Sequence, residues 1–145
     1  MAVTQFLSNF TETKKTIEMK SMSPNLMVHD VNKTIEYYKN LFDFQLIMSV
    51  PEKGQFEWAM MKNGNVTIMF QEKESLSKEL TSLQNKPLDA TMNLYFQTNN
   101  IEGLYEKVKK TEKIAIELGT TFYGSKEFTM KDLNGYFLTF AEDNE

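Results

Sequence analysis

A short apolar run, a turn and an amphipathic helix organise this chain, and the pattern occurs twice. Leu26, Met27 and Val28 run into Asp30, after which Val31, Ile35, Tyr38 and Phe42 recur at helical spacing. Asn32, Lys33, Glu36 and Lys39 fall on the opposite side, so the segment predicts a helix with one buried stripe. About 70 residues later Leu94, Tyr95 and Phe96 run into Asn99-Asn100, and Ile101, Leu104, Tyr105 and Val108 carry a second stripe. Asp30 is placed to cap the first helix by accepting from its free amides. Asn99 with Glu102 resembles a capping box for the second, with Asn in place of Ser or Thr. Two such units place a working surface where the halves face each other.

Between the helices the chain reads as strands. Ser23-Pro24 marks the entry to the first, because proline tolerates a strand's opening position. Phe44 to Val50 forms the next, closed by Pro51 and Gly54, and Gln55 to Lys62 sets Phe56, Trp58 and Met60 against polar neighbours with a period of two. Asn63-Gly64 is a hairpin signal, and Asn65 to Gln71 returns from it. Leu76, Leu80 and Leu83 predict a linker helix that stops before Pro87. In the second unit Met92 to Thr98, Lys113 to Leu118, Lys126 to Lys131 and Tyr136 to Ala141 read as strands. Gly119 to Gly124 reads as loop or bulged edge, and Asp132 to Gly135 as a turn. The division is an N-terminal extension at 1–21 and one domain at 22–142, with module one at 22–72, the linker at 73–88 and module two at 89–142. Phe6, Leu7, Phe10 and Ile17 in the extension are expected to dock on the body or on a partner, since exposed phenylalanines gain nothing.

Composition removes several function classes. The 20 acidic and 16 basic side chains are mixed along the sequence for a net charge of −4, the wrong balance for a protein that lives on phosphate backbones, so no nucleic-acid partner is expected. There is no cysteine, hence no thiolate metal site and no thiol nucleophile. No apolar run is long enough to span a membrane, and Met1 to Lys20 lacks the continuous apolar core of a secretory signal, which makes the cytoplasm the default expectation. A nucleophile elbow, a phosphate-binding glycine loop and a dinucleotide fingerprint are all missing from the sequence. Lys107, Lys109, Lys110 and Lys113 are interleaved with Glu102, Glu106 and Glu112, the pattern of a solvated helix face.

The two βαβββ units, the segment Val28-His-Asp-Val-Asn-Lys-Thr-Ile-Glu-Tyr-Tyr38, the hairpin at Asn63-Gly64 and the run Lys131-Asp-Leu-Asn-Gly-Tyr-Phe-Leu-Thr-Phe140 together resemble the vicinal oxygen chelate superfamily. That superfamily holds glyoxalase I, bleomycin-resistance proteins, fosfomycin-resistance enzymes and extradiol dioxygenases. The resemblance covers about residues 22 to 142 and implies an α+β fold of curved mixed sheets around a central cleft. It also implies four metal-ligand positions, usually His, Glu or Gln. Here they fall on Ser23, on Asn93, on Thr139 and on Thr67 or Ile68, none of them a good ligand for a first-row metal. No cofactor is therefore expected. His29, the single histidine, reads as a residue making a local hydrogen bond at the end of the first strand, with ligand contact or a pH-sensitive role as the alternative. Glu57, Glu72, Glu127 and Glu142 read as surface carboxylates, the alternative being displaced metal ligands.

Ten methionines and eighteen aromatic residues remain to be placed: some are plain core, and others are expected to line the cleft. Counting by twos along the faces that carry the implied metal positions gives Asn25 and Met27, Tyr95 and Gln97, and Phe137. With Met60, Asn93 and Thr139, with Trp58 as a stacking platform and with Tyr95 and Tyr123 as walls, they predict a pocket for a neutral or partly aromatic small molecule. The reading is a metal-independent binding protein acting by sequestration or sensing, a homodimer by family analogy. Its alternatives are a glyoxalase-like or dioxygenase-like metalloenzyme with displaced ligands, and a ligand-sensing partner of a transcription regulator.

Overall fold

The computed structural model describes residues 16–143. Phe6, Leu7 and Phe10 lie outside the described residues, while Ile17 is solvent-exposed and rests on nothing described.

The first helix forms where the apolar stripe predicts it. Asp30 accepts a hydrogen bond from the Lys33 amide at 3.0 Å, and helix α1 then runs Val31–Phe42 with Val31, Ile35, Tyr38 and Phe42 buried. Asp43 ends it in the left-handed conformation, its N–H donating to the Tyr38 carbonyl. Strand β1 (Asn25–Val28) precedes α1, and β2 (Gln45–Val50), β3 (Trp58–Asn63) and β4 (Val66–Glu72) follow. They make a sheet ordered β1-β4-β3-β2, parallel only between β1 and β4. After β4 come a short helix α2 (Lys73–Glu79) and a 3₁₀ turn (Thr81–Leu83).

Module two repeats the plan. Strand β5 (Asn93–Gln97), helix α3 (Ile101–Val108) and strands β6 (Lys113–Thr120), β7 (Ser125–Lys131) and β8 (Phe137–Asp143) make a sheet ordered β5-β8-β7-β6, again parallel only at β5–β8. The fold is α+β, two βαβββ modules.

Four local expectations shift. The linker helix stops at Glu79, because Leu80 is turned to solvent and cannot continue a buried stripe. The cap of α3 is Asn100, not Asn99: its side chain accepts from the Gly103 amide at 3.2 Å, as Asp30 does in α1. Strand β3 begins only at Trp58, and β6 runs on through Gly119 to Thr120.

One hydrophobic core joins both modules. Each sheet presents alternate residues to it: Leu26, Val28, Ala59, Met61, Ile68 and Phe70 from the first, Phe128, Met130, Leu138 and Phe140 from the second. Fully burying side chains of this size is worth about 1.5–3 kcal/mol each before entropy is subtracted. Phe42 meets Phe140 at 5.3 Å between ring centres, and Phe44 meets Phe96 at 6.5 Å. Tyr38, fully buried in α1, donates to Asp132 in the β7–β8 turn at 2.6 Å. The shared core thus joins the two modules through their helices and the buried faces of their sheets.

Candidate functional site

Because side chains alternate across a strand, the residues not used by the core share the opposite, open face of each sheet. Pairing register assigns them. On the first sheet one row reads Asn25, Met69, Met60 and Met48, and the next reads Met27, Gln71, Trp58 and Val50. Four methionines and the single tryptophan therefore share one face, with Met27, Trp58, Met60 and Met69 half-buried and Met48 exposed. The Asn25 side-chain amide donates to Gln71 at 2.8 Å, and the Gln71 amide donates to the Ser75 hydroxyl at 3.0 Å, which fixes the amides beside the apolar rows.

On the second sheet the rows are Asn93, Phe137 and Lys131, then Tyr95, Thr139, Thr129 and Ile116, then Gln97, Ala141, Glu127 and Gly119. Asn93 Oδ1 accepts from Thr139 Oγ1 at 2.9 Å, and Thr139 and Thr129 share a buried hydroxyl contact of 2.8 Å. Lys131 holds its ammonium 5.1 Å from the centre of the Phe137 ring. Tyr95 and Tyr123 both donate to Glu127 Oε2, at 2.6 and 2.7 Å.

Of the sequence-predicted residues, Asn25, Met27, Trp58 and Met60 come together on the first open face, and Asn93, Tyr95, Gln97, Phe137 and Thr139 on the second. Tyr123 joins the second from the turn before β7. The two groups belong to different sheets, and neither sheet pairs with the other. The sequence reading missed Met48, Met69 and Gln71, and left Glu127 among the surface carboxylates. Glu127 was reachable by the same count by twos, back from Thr129.

The four implied metal positions can be placed by the internal repeat. Thr139 pairs with Tyr95; its counterpart in module one is the partner of Asn25, which is Met69 and not Thr67 or Ile68. The shift arises because a register is set by pairing across strands, which counting along one strand does not show. Ser23, Met69, Asn93 and Thr139 offer a hydroxyl, a thioether, an amide and another hydroxyl, and in the second sheet these are bonded to each other. Such neutral donors do not fit a catalytic divalent cation. Among the described residues no three His, Asp or Glu side chains are grouped to hold a metal ion. His29 is exposed, and its backbone N–H donates to Asn134 Oδ1 at 3.2 Å, tying β1 to the β7–β8 turn.

The electrostatics centre on Glu127. Burial pushes its carboxyl up, but hydrogen bonds from Tyr95, Tyr123 and Ser125 together outweigh that and hold it below the usual carboxylate range. The same bond pushes the Tyr95 phenol up to about 12, and Tyr123 is raised likewise.

A groove of about 860 Å³ opens elsewhere, where the end of α1 and the Asn63–Val66 hairpin meet the start of α3. Three of its polar groups are engaged: the Asn63 amide donates to the Phe42 carbonyl, Asn100 caps α3, and Lys107 donates to the Leu41 carbonyl; Gln97, at the end of β5, also lines it. No helix of the described residues is long and apolar enough to cross a membrane.

Solved structures share this architecture. A glyoxalase/bleomycin resistance protein/dioxygenase from Nocardioides superposes with a TM-score of 0.73 at 15% identity, covering 97% of this chain and 94% of that one. The hypothetical protein SA1046 from S. aureus gives 0.66 at 24% identity, with 87% and 95% covered. A bleomycin-binding protein complexed with bleomycin gives 0.62 at 16% identity, with 88% and 100% covered. At these identities the likeness concerns the fold. Among curated proteins no sequence matches this chain. The sequence model of the Glyoxalase/Bleomycin resistance protein/Dioxygenase superfamily matches residues 21–140, nearly the whole described chain, and the chain belongs to that superfamily.

Proposed function

We propose that this protein binds a flat, partly aromatic small molecule on the open faces of its sheets, without a metal ion, for sequestration or sensing. The observation that carries the reading is the chemistry of those faces. Half-buried Met27, Trp58, Met60 and Met69 offer an adaptable apolar and stacking surface, and Asn25 and Gln71 offer fixed amides beside it. Where relatives would hold a cation, the donors are neutral. The bleomycin complex of one structural neighbour supports a small molecule as the ligand.

The site is proposed to be completed by a second copy of the chain. The open faces look away from the shared core, so a single chain leaves each with one wall. Laying the first sheet of one protomer over the second sheet of its partner would enclose two equivalent pockets, consistent with the two-fold symmetry most homodimers adopt. Asn25, Met27, Trp58 and Met60 would then face Asn93, Tyr95, Gln97, Tyr123, Phe137 and Thr139.

A screen of flat heteroaromatic compounds against metal-stripped protein tests this reading through Trp58 emission and melting temperature. Saturable changes in both are expected. A screen that moves neither, or moves them only after zinc, nickel, manganese or iron is added, overturns it in favour of a metalloenzyme.

A further inference from the structure

We propose that the Glu127 carboxylate anchors a positively charged nitrogen, so that the ligand is a flat aromatic cation and not a neutral ring. This rests on the small-molecule reading above and names the ligand class for the second open face.

Glu127 is held ready for a charge that the described residues do not supply. Tyr95 and Tyr123 both donate to Oε2, and Oε1 accepts no hydrogen bond among the described residues. The neighbouring ammonium groups are engaged elsewhere: Lys126 points to the other side of β7 and pairs with Glu102 at 2.6 Å, and Lys131 lies over Phe137. Two phenols and a carboxylate are well hydrogen-bonded together, yet the assembly keeps its full negative charge, since the same bonds and the Ser125 hydroxyl hold the carboxyl below the usual carboxylate range. Donating to an anion also enriches the phenol rings in electron density, and such faces attract cations.

Those ring faces are available. Tyr95 is 51% exposed and Tyr123 58%, and Phe122 stands fully exposed and edge-on to Tyr123 with ring centres 4.9 Å apart. Next to Glu127 across the sheet stand Ala141 and Gly119, neither of which carries a long side chain. The buried Ser125 hydroxyl lies beside Tyr95 and Glu127 and favours the charged carboxylate. A neutral ligand would leave this anion without a counter-charge as the pocket closed over it, a cost that a cation removes.

Isothermal titration calorimetry of the full chain against N-methylquinolinium, quinoline and 1-naphthoate separates the possibilities, because the three are similar in shape and differ in charge. N-methylquinolinium is expected to bind at least about tenfold more tightly than quinoline, with 1-naphthoate weakest. Glu127→Gln should abolish the preference while leaving quinoline binding in place, and Tyr123→Leu should reduce it. Glu102→Gln removes an equal charge outside the site and should leave the preference intact, and circular dichroism confirms that each variant is folded. If quinoline binds as well as the cation, or the preference survives Glu127→Gln, the charge anchor is wrong and the small-molecule reading stands. If none of the three binds, both fall.

Discussion

At the level of single residues, the chemistry of the chain is concentrated in hydrogen bonds from tyrosines to carboxylates. Tyr95 and Tyr123 converge on one oxygen of Glu127, and Tyr38 donates to Asp132 in the core. A bond to a carboxylate favours the protonated phenol, which raises its pKa. Between the ordinary phenol value of about 10 and about 12, folded Tyr95 keeps a proton that the unfolded chain releases, so its contribution to stability falls as pH rises through that window. In a spectrophotometric titration near 295 nm, Glu127→Gln should move the ionisations of Tyr95 and Tyr123 down toward about 10, while Tyr37, Tyr38 and Tyr136, raised by burial and other carboxylates, stay high; an unchanged titration would remove Glu127 as the cause. Tyr38→Phe keeps the ring but withdraws a donor from Asp132, which burial already pushes above its usual range. A loss of about 1–3 kcal/mol is expected in urea unfolding, from a buried acceptor left short of a partner.

At the level of elements, each module opens its helix with one side-chain cap, Asp30 on Lys33 and Asn100 on Gly103. The Asp30 carboxyl is held below its ordinary value, chiefly by the Lys33 amide. Its share of stability is present above about pH 4 and is lost as pH falls through the lower folded value, and Asp30→Ala should cost about 1 kcal/mol at neutral pH. Gly103 makes a less obvious case. A methyl group there would stand 2.5 Å from the Asn100 amide nitrogen, so Gly103→Ala displaces the cap as it gains helix propensity. It should be close to neutral in thermal unfolding, whereas in an Asn100→Ala background the same change should recover most of the ~1 kcal/mol that alanine normally brings.

These elements also show what the sequence discloses and where it stops. Helical spacing of Val31, Ile35, Tyr38 and Phe42, and the Asn63-Gly64 turn, are local signals, and they place α1 and the β3–β4 hairpin correctly. The Leu76, Leu80 and Leu83 stripe overstates α2 because periodicity shows which side is apolar and not whether anything packs there. Met69 and Glu127 were misplaced or set aside because their neighbours, Asn25 and Tyr95, come from distant segments brought together only by strand pairing. Alternation along β1, β5 and β8 did put Asn25, Met27, Tyr95 and Phe137 on open faces, since that requires only a period of two.

At the level of the whole molecule, duplication explains both the core and the open faces. Each βαβββ module buries one face of its sheet, and joining the two modules completes a single core while leaving a face rich in methionine with Trp58 on the first sheet and a mixed polar and aromatic face on the second. In the proposed assembly a second copy of the chain covers these faces, with a ligand enclosed between the sheets. Native mass spectrometry of metal-stripped protein mixed with N-methylquinolinium tests the claim most directly, because it reports subunit count, ligand and metal in one spectrum. The expected species is a dimer carrying two ligands and no ion. A monomer that takes up the compound unaided, or a complex that forms only with a divalent metal added to the mass, would contradict it.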